Sequence, residues 1–421
     1  SFKGLDNTGY YSLCGGEDAP LRYYRNYSGT GNTLNAASPQ VQRLVLDSLR
    51  YWAETMHVDG FRFDLAACLG RDHNGSFSAC DHLLGAIAGD PQLRNLKLIA
   101  EPWDMEAYEV GSLNPPWSEW NGKFRDAFRR FAKGDPGQIK EIGSRLSGSP
   151  DLFGHNGRRP SDSINFLTCH DGFTLYDLVA YNDKHNEANG ESNQDGANDN
   201  ASWNCGAEGE TDDAEVNDLR RRQAKNLFCH QMLSIGTPMI TAGDEFLRTQ
   251  GGNNNVYAQD NPIAWLDWDR CKANADMLGF VKALLRFRDR HAVLQRAGFL
   301  VGQDRSGDGV PDVHWYGPGE GDVHWDDPEL RCLGFQLDGN EAERGTPEEK
   351  DYRLFVVFNA DPNAQPFKLP ESGEGRQWHR VIDTSMGPGE DIKEEGAEVP
   401  FSEPDYLVSP RSCLVLKSKR A

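Results

Sequence analysis

The stretch Val58 to Ala66, VDGFRFDLA, decides how this chain is read. Side chains alternate across a strand, so Phe61, Phe63 and Leu65 share one face while Arg62 and Asp64 project from the other. A charged pair inside an apolar run is thereby aimed at one place. If buried, such a pair loses in desolvation about what it gains in Coulomb energy, so it is either an ion pair of little net worth or part of a site.

Working outward, residues 39–57 (PQVQRLVLDSLRYWAETMH) predict an amphipathic helix. Val41, Leu44, Val45, Leu49, Trp52 and Met56 fall on one face, with Ser38 as N-cap and Pro39 at the first helical position. Downstream, LKLIAEPWD (96–104) predicts a short strand that terminates at Glu101. INFLTCHDG (164–172) predicts another, leading to His170 and Asp171. After a helix over 214–234, GTPMITAGDEF (236–246) predicts a strand ending in Asp244 and Glu245. The start of NGKFRDAFRRFAKGD (121–135) is read as a strand, and a last helix is expected over 273–294, presenting Leu278, Val281, Leu284, Leu285 and Phe287. Helices alternating with short apolar strands imply an α/β fold built on a parallel sheet or barrel.

From about residue 298 the pattern changes to short alternating segments such as RLFVVFNA and YLVSPRSCLVLKS, which predict an antiparallel β domain. The expected division is thus 1–297 and 298–421. The tract 182–213 is almost wholly polar, and a long loop in a compact domain is expected to form part of a site.

Composition narrows the function. With 44 basic and 65 acidic residues the net charge is -21, which repels nucleic acid and anionic membrane surfaces. No run approaches the ~18 apolar residues of a membrane span, and SFKGLDNTGY has neither the basic region nor the apolar core of a signal sequence. Nine scattered cysteines lack metal-ligand spacing, so reduced thiols and no cofactor are expected.

In a (β/α)8 barrel the C-terminal strand ends converge on one face, and Asp64, Glu101 and Asp171 each stand at such an end. Three carboxylates with an arginine and a histidine fit glycoside cleavage better than metal chemistry. Arg62 favours the ionised form of Asp64, whereas Glu101, between the apolar LIA and Pro102-Trp103, is expected to resist ionisation. The two environments push the carboxyls toward different roles.

VDGFRFDLA, LIAEPWD and FLTCHDG resemble, in order, three short segments of the α-amylase clan, the family 13 glycoside hydrolases. The resemblance implies Asp64 as nucleophile, Glu101 as general acid/base and Asp171 as transition-state stabiliser, with Arg62, His170, Trp103 and Asp104 contacting substrate. NYSGTGNTLN (26–35), LVAYNDKHNEANGE (178–191) and GDEFLRTQGGNNNVYAQDN (243–261) are similar to the isoamylase and glycogen-debranching subgroup. What this implies is hydrolysis of α-1,6 branch linkages in starch or glycogen, with a branched α-glucan as partner and a plastid or a microbial cytoplasm as compartment. An α-1,4-acting amylase or transglycosylase of the same clan is the alternative, and a noncatalytic glucan-binding subunit the alternative of another class. A homo-oligomer is compatible with any of these.

The clan's fourth segment, an Asp and an Asn-His pair at the end of the third barrel strand, does not occur before the opening helix. The chain is therefore expected to supply about strands four to eight of the barrel, followed by a generic C-terminal antiparallel β-sandwich, with an upstream polypeptide completing the barrel. Tyr10, Tyr11, Trp103, Trp203 and Tyr257 are candidate sugar platforms. Asp304 to Asp312, DRSGDGVPD, has part of the spacing of a calcium loop but Trp315 at the twelfth position, so an acidic turn is the preferred reading over a structural calcium. DVHW occurs at 312–315 and 322–325, which predicts a hairpin.

Overall fold

Gly60–Phe63 forms the strand that the alternation predicts, and Lys97–Ala100 lies parallel to it with Phe61 opposite Leu98, Arg62 opposite Ile99 and Phe63 opposite Ala100. Gly60 is needed for this approach, because a Cβ there would stand 2.4 Å from the Lys97 carbonyl oxygen. The computed structural model describes residues 2–19, 21–319 and 321–420. It comprises two compact units, Ser1–Gly122 with Pro150–Ile164, and Lys123–Ser149 with Asn165–Ala421.

In the first unit the parallel series continues through Trp117–Trp120, where Ala100 faces Glu119, and Glu119 and Trp120 in turn face Ser163 and Ile164. Parallel neighbours need crossover connections, and the helix His82–Gly89 supplies one. Its Leu83, Leu84 and Ile87 pack with Leu98, Ala100, Leu113 and Trp117. Phe63 meets the Trp117 ring edge-on at 5.0 Å, which anchors the strand before Asp64.

The helix Pro39–Glu54 forms as expected, but its buried side differs. Val41 is enclosed and Val45, Leu46, Leu49 and Ala53 lean on the core, while Leu44, Trp52 and Met56 are exposed. Nor does Ser38 cap it with its side chain; the hydroxyl goes to the Gly9 carbonyl and to Gln40.

The reading of 121–135 as starting in a strand is corrected. Trp117–Trp120 is the strand, and Gly122–Lys133 is a helix. Phe124, Phe128 and Phe131 recur at helical spacing and are all buried, whereas the intervening arginines obscure that period over a short window.

In the second unit the helices Ala214–Met232 and Ala275–Arg290 pack with Phe124, Phe128 and Phe131 against one face of an antiparallel sheet. Asp213 caps the first helix by accepting from the amides of Glu215 and Val216. The sheet has six strands in the order Val399–Phe401, Arg376–Asp383, Ser412–Arg420, Arg353–Asn359, Cys332–Asp338 and Val313–Tyr316. Along Arg353–Asn359, Leu354, Val356 and Phe358 meet the helices, while Phe355 and Val357 point the other way onto Phe367 and Val408 of a two-stranded sheet. Both faces are covered, so the strand reads as a continuous apolar run.

One smaller expectation changes and another keeps its preferred reading. Only the first DVHW copy is in a strand, Val313–Tyr316; the second follows in irregular chain and sets Trp325 edge-on to Trp315 at 5.4 Å. In the acidic loop, Asp304 accepts from the amides of Gly307 and Gly309, and Asp312 turns away to pair with Arg296 at 3.1 Å. These are the contacts of an acidic turn.

The polar tract after residue 182 has a dense set of side-chain hydrogen bonds. Asn186 exchanges two with Asn254, at 2.8 and 2.9 Å, and Asn255 donates to Asp195 at 2.8 Å. Asparagine supplies both a donor and an acceptor, so it satisfies loop backbone where no ladder is available.

Candidate active site

Arg62 joins two of the carboxylates that the sequence singles out. Its Nη1 donates to Asp64 Oδ1 at 2.7 Å and its Nη2 lies 3.0 Å from Glu101 Oε2, so one guanidinium bridges both carboxylates. The guanidinium also rests 4.2 Å from the centre of the Trp120 ring. The Asp64 side chain is 73% exposed and that of Glu101 6%. This is not a buried ion pair; one carboxylate is open to solvent and the other is enclosed.

Backbone geometry completes the arrangement. Glu101 follows its strand directly, its amide donating to Phe63 O at 3.0 Å and its carbonyl accepting from Ala66 N at 2.8 Å. Leu65 takes the left-handed conformation, with φ 40° and ψ 50°, which a leucine rarely adopts. That turn aims Leu65 N–H at Glu101 Oε2, 2.9 Å away. Burial raises the Glu101 pKa above the ordinary carboxyl value; the Leu65 amide and Arg62 oppose the shift, and hydrogen bonding to Asp64 and its charge reinforce it. A carboxyl that resists ionisation beside one open to solvent is what a proton donor and a nucleophile require.

Trp103 stacks on Tyr108 with centroids 5.8 Å apart and planes 9° apart, so one face of its ring is covered. Asp104 does not offer itself to a sugar, contrary to the sequence reading. Its side chain is 0% exposed and accepts from Arg71 Nε at 2.6 Å, from Arg71 Nη2 at 2.8 Å, and from the amides of Glu106 and Ala107. Arg71 lies over Tyr27 at 4.0 Å and donates to Gly75 O. Asp104 thus shapes the loop after Glu101. Of the other aromatic candidates in this unit, Tyr11 is buried and Tyr10 stacks on Phe2.

In the second unit, His170 Nε2 lies 3.4 Å from Asp171 Oδ2, with the side chains 52% and 66% exposed. They stand on a loop, since the strand Ser163–Phe166 has already ended. Gly172 N donates to Asn254 O at 3.0 Å, tying this loop to the asparagine-rich segment. Asp244 and Glu245 likewise fall beyond their strand, Thr237–Met239, and Asp244 is buried. Tyr257 is exposed, while Trp203 packs partly buried under Arg411.

Sequence reasoning missed Trp120, Arg71 and Tyr108. Trp120 belongs to WSEW, whose alternation was the available signal. Arg71 carried none, since its partner lies 33 residues away.

Residues 312–417 match the family described as "Isoamylase, C-terminal". The "Glycogen operon protein GlgX homolog" of Mycobacterium tuberculosis is 45% identical over 428 residues, covering 99% of this chain and 58% of that protein. "Isoamylase 3, chloroplastic" of Oryza sativa subsp. japonica is 42% identical, covering 100% of this chain and 51% of that protein. The chain thus spans little more than half the length of these curated relatives. Among solved structures, a pullulanase from Anoxybacillus sp. LM18-11 complexed with maltotetraose superposes with a TM-score of 0.66 at 21% identity, covering 99% of this chain and 51% of that one, which is a likeness of fold. Residues 312–417 thus carry an isoamylase C-terminal segment, and the chain as a whole is similar to GlgX-type and isoamylase proteins over little more than half of their length.

Proposed function

We propose that this chain carries the catalytic carboxylates of a retaining glycoside hydrolase that cleaves α-1,6 branch linkages of a starch- or glycogen-like glucan. The observation that carries the proposal is the pairing of solvent-open Asp64 with enclosed Glu101 under one arginine. Asp64 attacks the anomeric carbon while Glu101 gives its proton to the departing glycosidic oxygen, leaving a glycosyl ester on Asp64. Glu101, now ionised, takes a proton from water, whose oxygen attacks the same carbon and frees Asp64. Arg62 holds both carboxylates through the exchange. Asp171 is assigned to stabilising the transition state, His170 and Trp103 to contacting the sugar, and Asp104 to holding the loop that presents Trp103.

Residues 1–297 are read as about strands four to eight of a (β/α)8 barrel, and 298–421 as a β-sandwich domain. The parallel registers of the first unit and the sheet-on-sheet core around Phe355 and Phe367 support that reading. The exposed Leu44 and Trp52 of the helix Pro39–Glu54, with Met56 just beyond it, support an upstream polypeptide that packs there and completes the barrel. The compartments proposed are a plastid or a microbial cytoplasm, in keeping with a chloroplastic relative and a bacterial one. Among the described residues, no helix is long and apolar enough to cross a membrane.

Glu101→Gln tests the proposal. Branch hydrolysis should disappear while glucan binding persists; an active Glu101→Gln protein overturns the assignment. Products from pullulan, amylopectin and linear maltooligosaccharides decide between α-1,6 and α-1,4 cleavage.

A further inference from the structure

Asp244 is buried in the second unit, yet it receives a hydroxyl and a backbone amide rather than closing an ion pair with a neighbouring cation. A buried carboxylate so placed costs stability and calls for a reason. One oxygen accepts from the Thr168 hydroxyl, the other from Leu175 N at 3.1 Å. Thr168 and Leu175 are the two ends of the loop that bears His170 and Asp171. We propose that Asp244 is a positioning residue whose single carboxylate pins both ends of the 168–175 loop and so fixes where Asp171 stands. This rests on the assignment of Asp171 above.

The surroundings extend the brace. Thr168 Oγ1 also lies 3.1 Å from Thr241 Oγ1, on the segment leading to Asp244. Gly243 takes φ 97°, turning the chain just before Asp244, and a Cβ there would strike Leu266 and Arg248. The strand-end carbonyl of Leu167 accepts from Arg129 Nε at 2.8 Å, and Arg129 also reaches Asn200 O at 3.1 Å. Thr174 caps the helix Leu175–Ala180. On that helix, buried Asp177 accepts from the Thr249 hydroxyl and from Gln250 N at 2.9 Å. The Gln250 side chain then reaches Asn253 O at 2.7 Å and Gly172 O at 3.4 Å. Thus the loop tip is held by the asparagine-rich segment and the loop base by Asp244. The charged groups facing Asp244 are Arg248 and Arg129, which favour its ionised form, and Asp177, which opposes it. Burial dominates and pushes its pKa up to about 7.

Asp244→Ala, Asp244→Asn and Thr168→Val in the full chain test the brace, read by hydrogen exchange of 168–175 without glucan and by kcat and KM on branched glucan. Asparagine keeps both contacts, because its carbonyl accepts from Leu175 N and its amide donates to a reversed Thr168 hydroxyl. Exchange should quicken about tenfold or more in Asp244→Ala and several-fold in Thr168→Val, with the 332–338 and 353–359 strands unchanged. In Asp244→Ala kcat should fall about tenfold with KM moved less than about threefold, and Asp244→Asn should restore slow exchange and most of the lost kcat. Unchanged exchange in a folded Asp244→Ala protein, or an Asn variant as impaired as the Ala variant, overturns the brace. If Asp244→Ala does not fold, Thr168→Val decides alone, and unchanged exchange there overturns it. Faster exchange in Asp244→Ala with kcat and KM on branched glucan both unchanged upholds the brace and overturns the role given to Asp171.

Discussion

Glu101 and Asp171 are held in opposite ways. Glu101 is gripped directly, its own carboxyl meeting the Leu65 amide and the Arg62 guanidinium, with the adjoining backbone bonded to Phe63 and Ala66. Asp171 stands exposed beside His170 on a loop anchored through Thr168, Gly172 and Leu175. Burial and direct contacts set the ionisation of Glu101, and the loop anchors set the location of Asp171.

The largest effect should come from the gripped residue. Glu101→Gln should lower branch hydrolysis about a thousandfold, as expected for loss of a general acid. If Asp171→Asn costs more than Glu101→Gln, the comparison is inverted. Next, Arg71→Met leaves the Asp104 carboxylate enclosed without its cation, and breaking such a pair costs about 3–5 kcal/mol. A denaturation midpoint close to wild type would show that Asp104 does not hold the loop. Arg62→Met removes the bridge between Asp64 and Glu101, and kcat should drop about a hundredfold with glucan binding retained. A proportional loss of binding instead would make Arg62 a substrate contact.

The smallest effect is in pH dependence. Burial raises the pKa of Asp244 to about 7 and of Asp177 to about 6. For a carboxyl raised above its unfolded value of about 3.9, the stabilising contribution is whole below that value and is lost as pH climbs through the folded one. Asp244→Asn cannot ionise, so its melting temperature relative to wild type should rise by a few degrees between about pH 4.5 and 7.5. A flat difference across that window would mean that Asp244 is not held as a reluctant carboxylate.

Much of the site could be read before the structure. The two-residue period put Arg62 and Asp64 on one side, and the 2.7 Å contact agrees. The apolar run before Glu101 marked both its strand and its resistance to ionisation. Asp104 was misjudged because standing next to Trp103 in sequence says nothing of Arg71, which reaches it only through the fold. The helix at Gly122–Lys133 was misread because its Phe period emerges only across about two turns, between arginines. Leu44, Trp52 and Met56 look like core to any pattern, yet which side of an apolar helix is covered depends on what packs there.

By itself the sequence determined the alternation of helices and strands, the antiparallel C-terminal pattern, the segments that resemble a glycosidase clan, and the carboxylates worth naming. Those are properties of windows of a few residues, where side-chain periodicity and covalent spacing decide. Only the tertiary structure decided that Asp64 is open while Glu101 is enclosed, that Asp104 serves Arg71, and that buried Asp244 joins the ends of the loop bearing Asp171. Burial and partner choice depend on contacts between residues tens of positions apart, and no short window contains both members of such a pair.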